Sequence, residues 1–126
     1  MDNAERPKIR NFRDLLIWQR SMDLADAVYS ATRCFPKEER YGLTSQMRRA
    51  AVSVPSNIAE GFNRRHNREY KQFLYVALGS LGELDTQVRI AHRQGFTDET
   101  TANKLLGELD EIPRMTRSLI TRLESS

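Results

Sequence analysis

The chain has few residues with which to do covalent or acid–base chemistry: two histidines, His66 and His92, and one cysteine, Cys34. On a single helical span the histidines would lie on the order of 35 Å apart or more at 1.5 Å rise per residue, too far to share a site within one subunit. Neither has a histidine or carboxylate four residues away, the spacing a helical metalloprotease motif needs. Cys34 stands between Arg33 and Phe35-Pro36. A cysteine beside apolar residues is expected to pack rather than react. A single cysteine also gives no internal disulfide and no thiolate metal cluster. Gly79 and Gly82 do not make a phosphate loop, because no strand precedes them and they interrupt a helical repeat; they are expected to admit another helix closely. No catalytic residue, cofactor or metal is expected.

Charge chemistry is better represented. From Arg48 to Lys71 there are six basic residues (Arg48, Arg49, Arg64, Arg65, Arg68 and Lys71) and two acids (Glu60 and Glu69). That window carries +4 of a chain whose net charge is +3, so the remainder is slightly acidic. A local basic patch points to a phosphate-bearing partner more strongly than a basic isoelectric point does. Arg48 and Arg64 would lie about 24 Å apart along a straight helix, so one subunit offers two patches. The second, Arg64, Arg65, Arg68 and Lys71, has Phe62 and Tyr70 beside it as stacking candidates, although both also fit the apolar stripe. Beside and between the patches stand Gln46, just before Arg48, and Ser53, Pro55, Asn57, Glu60 and Gly61. Glu60 is four residues before Arg64, the spacing of a helical ion pair. Asn57 could bond carbonyls freed by Pro55 or reach a neighbouring helix. A polar packing or subunit-contact role competes there with a ligand-facing one.

The elements that carry these residues read as four helices. Apolar residues recur at alternating spacings of three and four in Leu15, Trp18, Met22, Ala25, Tyr29 and Thr32. A second stripe runs through Leu43, Met47, Ala50 or Ala51, Val54, Ile58 and Phe62. A third runs Tyr70, Leu74, Ala77, Leu81, Leu84, Val88 and Ala91, and a fourth Ala102, Leu105, Leu109, Ile112, Thr116, Leu119 and Leu123. No period-two run competes with them. Asn11 with Asp14, Thr44, Asn67 and Thr97 with Asp98 and Glu99 are the expected helix starts. Phe35-Pro36 and Gly42 break the chain between helices 1 and 2, Gly61 suits the end of helix 2, and helix 3 ends near Gly95. Short connections favour antiparallel neighbours and an up-down-up-down bundle. Pro55 and Pro113 each remove a backbone donor, predicting kinks in helices 2 and 4 that cost about 3 kcal/mol unless packing favours the bend.

The chain of 126 residues, 39% hydrophobic and 29% charged, is of a size and composition for one globular domain, expected at residues 11–126 behind a mobile N-terminal tail at 1–10. No apolar run approaches the ~18 residues of a membrane span, and the opening MDNAERPKIR has no apolar core for a signal peptide, so a cytoplasmic protein is expected.

The stretches NFRDLLIWQRSMDLADAVYSAT, FPKEERYGLTSQMRRAAVSVPSNIAEGFNR and EYKQFLYVALGSLGEL resemble the small four-helix-bundle family encoded within intervening sequences of bacterial 23S ribosomal RNA genes. The resemblance runs from Phe12 to about Leu123. Its most specific parts are Phe35-Pro36 with Glu39, Tyr41-Gly42-Leu43, Gln46, Arg48-Arg49-Ala50, Ser53 and Asn57-Ile58-Ala59-Glu60-Gly61. The resemblance implies a left-handed bundle that assembles as a homo-oligomer, a ring of five subunits, with no established catalytic activity. The accessory protein of diversity-generating retroelements is similar in fold and binds a reverse transcriptase and nucleic acid; that is analogy of fold. Pro113 stands where glycine is more usual, which bears on the straightness of helix 4.

Two functions follow as expectations. One is a non-enzymatic oligomer that binds RNA or DNA backbone through the basic patches, which a ring would repeat around its axis. The alternative is a protein-interaction scaffold, its arginines solvated or paired across subunits, with Trp18, Phe73 and Val76 turned toward partners.

Overall fold

The computed structural model describes residues 8–125. The first seven positions of the expected tail lie outside the described residues, and the next three are exposed. Four α-helices account for most of the rest: α1 (Leu16–Thr32), α2 (Leu43–Phe62), α3 (Asn67–Arg93) and α4 (Glu99–Glu124), with 3-10 turns at Phe12–Asp14 and Lys37–Glu39. No strand occurs among the described residues. Each helix packs on the next and α4 closes onto α1, making a four-helix bundle, with the most extensive contact between α2 and α3.

The helix starts follow local chemistry, though not always with the expected residue. Asn11 and Asp14 form a reciprocal capping box, but on the 3-10 turn; extended backbone at Leu15 then separates that turn from α1. At α2, Thr44 lies buried inside the helix, and Glu39 does the capping instead, its Oε1 accepting from the Leu43 N–H at 3.1 Å. At α3, His66 holds the N-cap position, and Asn67 is the first helical residue, its amide donating to the Leu123 carbonyl at 3.3 Å. At α4, the Asp98 carboxylate accepts from the Thr101 N–H at 2.7 Å, a carboxylate at the positive end of the helix dipole. Just past the end of α3 stands Gly95, whose φ of +76° is one that side-chain-bearing residues rarely adopt. The Phe96 N–H reaches back to the Ala91 carbonyl at 2.9 Å, and the Phe96 ring packs on Phe35 at 5.7 Å. Both α2 and α4 continue as helix through their internal prolines, and Pro55 is buried.

The third stripe is buried at all seven positions, from Tyr70 to Ala91, and the second is buried from Met47 to Ile58. The first is displaced. The line of α1 that enters the core is Ile17, Ser21, Leu24, Val28 and Thr32, while Met22 is exposed. The fourth holds to Thr116 and then turns so that Ile120 is buried and Leu119 only half so. α1 and α4 are further joined by Arg20, which chelates the Glu108 carboxylate at 2.9–3.1 Å and approaches Glu111 at 3.5 Å.

Candidate nucleic-acid interface

The six basic residues of the 48–71 window divide into two groups. Arg48 is turned inward: its Nε donates to the Thr32 hydroxyl at 2.8 Å, and its guanidinium lies 4.7 Å from the Tyr29 ring centroid. It joins α2 to α1. Arg64 forms the expected pair with Glu60 at 3.1 Å and lies over Phe73 at 4.8 Å. Lys71 is half-buried and approaches Glu124 at 3.9 Å. These three spend much of their interaction capacity within the chain.

Arg49, Arg65 and Arg68 are exposed, and none makes an ion pair among the described residues. Arg65 sits on the turn that joins α2 to α3, and Arg68 in the first turn of α3. The stretch from Asn63 to Arg68 holds three arginines and a histidine, has no acid, and is exposed throughout. Arg49 lies some four helical turns away, lining an open cleft of about 260 Å³ with Gln46, Ser53, Ser80 and Glu83.

The residues between the patches form the α2–α3 seam. The Ser80 hydroxyl donates to the Ser53 hydroxyl at 2.8 Å, which also accepts from the Asn57 amide at 3.0 Å; the same amide reaches the Ser53 carbonyl at 2.8 Å. Asn57 therefore bonds within its own helix, and Ser53 makes the crossing. Gly61 lies inside α2 and is not its C-terminal cap. A Cβ there would meet Phe73 Cβ at 2.9 Å and Tyr70 Cδ1 at 3.0 Å, so the missing side chain lets α2 and α3 approach. Gly79 and Gly82 do the opposite of what their type suggests: nothing lies within 4 Å of a Cβ at either, and both face open space.

Tyr70 is buried and edge-on to the half-buried Phe62 at 6.1 Å, so both belong to the packing and neither presents a face to an incoming base. Burial pushes the Tyr70 hydroxyl up to about 12, against a smaller opposing pull from Arg122. The aromatic that the basic surface does present is Tyr75, on the outer side of α3; its signal in the sequence is that it falls off the apolar stripe. Phe73 is half-buried beneath Arg64, Trp18 packs against the core and edge-on to Phe12 at 5.3 Å, and Val76 is exposed.

His66 and His92 stand at opposite ends of α3. Cys34 is exposed and lines a cleft that includes Asp98 and Lys104 but no histidine. No three or more His, Cys, Asp or Glu side chains converge as a metal set among the described residues. No described helix is long and apolar enough to cross a membrane.

Residues 13–118 match the family model of the 23S rRNA-intervening sequence protein. Among solved structures, one similar chain is the 1.70 Å crystal structure of a protein of unknown function from the S23 ribosomal protein family of Bacteroides thetaiotaomicron VPI-5482. The two share a TM-score of 0.75 at 17% identity, over 83% of this chain and 98% of that one, which is a likeness of fold. No curated protein matches the chain. Neither match names a catalytic activity.

Proposed function

The chain belongs to the 23S rRNA-intervening sequence protein family, and on that premise we propose that it is a non-enzymatic helical-bundle protein that binds the phosphate backbone of RNA or DNA through the α2–α3 turn. The observation that carries this reading is the acid-free stretch from Asn63 to Arg68, which leaves Arg65 and Arg68 exposed and without an ion pair among the described residues. Exposed guanidiniums on a turn can pair with phosphate oxygens without first breaking an internal bond. Arg64 contributes at some cost, because Glu60 competes for it. Such contacts position a backbone and read no bases.

Binding of structured RNA and duplex DNA, measured by anisotropy at two salt concentrations, tests the reading. Wild-type protein should bind at low salt and weaken as salt rises, and Arg65→Glu with Arg68→Glu should lose at least ten-fold in affinity. Absence of binding at low salt, or indifference to the double reversal, refutes it.

A second reading, a protein-contact scaffold that self-associates, is favoured by a different surface. Leu16 is 57% exposed in a groove between α1 and α4 whose apolar lining includes Leu15, Ile17, Met115 and Leu119 and whose polar lining includes Arg114, Arg117 and Arg122. A homo-oligomer that covers this groove would bury it from water. Leu16→Lys should then lower the sedimentation mass at micromolar concentration. A monomeric wild type excludes self-association through the groove.

A further inference from the structure

The outer side of α3 carries a second regular line, separate from the one that enters the core. At spacings of three and four it runs from Arg68 through Tyr75, Gly79 and Gly82 to Arg89 and Arg93. The intervening positions are Gln72 and Thr86, so the line holds no carboxylate, and every residue on it is exposed. Its middle is low, because the two glycines leave open space where side chains would stand. Its ends are basic. One end has His66 and Arg68 beside the exposed Arg65; Glu69, half-buried, shares that recess. The other opens into a cleft of about 490 Å³ whose lining includes Arg89, His92, Arg93 and Asn103 and no carboxylate. Asp85, which flanks the line, holds Arg89 at 2.7 Å and leaves Arg93 as the freer cation. Glu83 flanks it on the side of the Arg49 cleft.

At 1.5 Å per residue, Arg68 and Arg93 lie about 37 Å apart along the helix. One turn of a B-form duplex is about 34–36 Å, so phosphates of the same groove edge recur at nearly that interval. A single strand would instead be expected to use a row of stacking aromatics, and this line offers Tyr75 alone. Resting on the backbone-binding reading above, we propose that α3 lies along a nucleic-acid duplex. It engages phosphates at one groove crossing through Arg65 and Arg68, and at the next through Arg93 with Arg89 and His92. The ligand is then a duplex of at least one helical turn, recognised by its phosphate spacing.

The test compares three fluorescent probes of matched sequence at one low salt concentration: an 8-bp duplex, an 18-bp duplex and an 18-nucleotide single strand. Affinities are corrected for the number of overlapping positions. The 18-bp duplex should bind about ten-fold more tightly than the 8-bp duplex, because two clusters engage one rigid ligand. Arg89→Gln with Arg93→Gln should remove that preference, because only Arg65 and Arg68 then hold either duplex, and Arg93→Lys should retain most of it. Equal affinity for both duplexes, a preference for the single strand, or an unchanged preference in the double variant overturns the two-crossing mode but leaves backbone binding standing. No binding of any probe overturns both. A double variant that alters sedimentation mass but not the length preference assigns the line to contact with a second copy and refutes the proposal.

Discussion

The Ser53 hydroxyl accepts from Ser80 at 2.8 Å and from Asn57 at 3.0 Å, so one side chain of α2 receives both the cross-helix bond and the brace within its own helix. This small polar junction sits in the most extensive helix contact of the bundle. Ser53→Ala leaves two donors without that acceptor and should cost about 1–2 kcal/mol in chemical denaturation. Ser80→Ala removes only the crossing bond and should cost less. A Ser53→Ala effect no larger than that of Ser80→Ala would show that the Asn57 brace contributes nothing.

Glycine substitutions should separate by place rather than by helix propensity. Gly61→Ala drives a methyl toward Phe73 Cβ and Tyr70, forcing α2 and α3 apart at a cost of about 1–3 kcal/mol, which outweighs a propensity gain of at most about 1 kcal/mol. Gly82→Ala meets open space and should stabilise by up to about 1 kcal/mol. Thermal melts of the two variants should therefore shift in opposite directions.

Tyr70 should make the fold sensitive to alkali. Burial raises its hydroxyl from 10.0 in the unfolded chain to about 12 in the folded one. Its contribution is complete below pH 10.0 and declines as pH rises toward about 12, because the unfolded chain ionises first. Tyr70→Phe should flatten the stability profile across that window. Identical alkaline profiles for wild type and variant would contradict the assignment.

Asp98 acts at the opposite extreme. Its hydrogen bond from the Thr101 N–H lowers its carboxyl below the ordinary 3.8, so the cap's charge contribution is present above that value and is lost as pH falls through the lowered one. Asp98→Asn retains a capping oxygen that does not titrate. The variant's melting temperature should vary less with pH than the wild type's below pH 3.8.

The sequence made some of these relationships visible and hid others for physical reasons. The α3 stripe was legible because all seven of its positions are core residues at unbroken heptad spacing. The α1 register was not, because polar Ser21 occupies a core position while apolar Met22 lies outside, reversing the hydropathy on which the reading depends. Glu60 with Arg64 was readable as an i, i+4 pair. Arg48 looked like a surface cation because its partners, Thr32 and Tyr29, belong to another helix. The same holds for Gly61, whose meaning lies in Tyr70 and Phe73 across the α2–α3 contact. Spacing within one helix reports the neighbours on that helix; it says nothing of the residues that a second helix brings alongside.

The central claim is that Arg65 and Arg68 hold phosphate oxygens directly. The most direct measurement is the slope of log affinity against log salt for an 18-bp duplex, comparing wild type with Arg65→Gln and Arg68→Gln singly and together. Each single variant should reduce the slope by about 1, and the pair by about 2, as each lost contact leaves one phosphate's counterions in place. A slope that is the same in all four proteins would contradict the account.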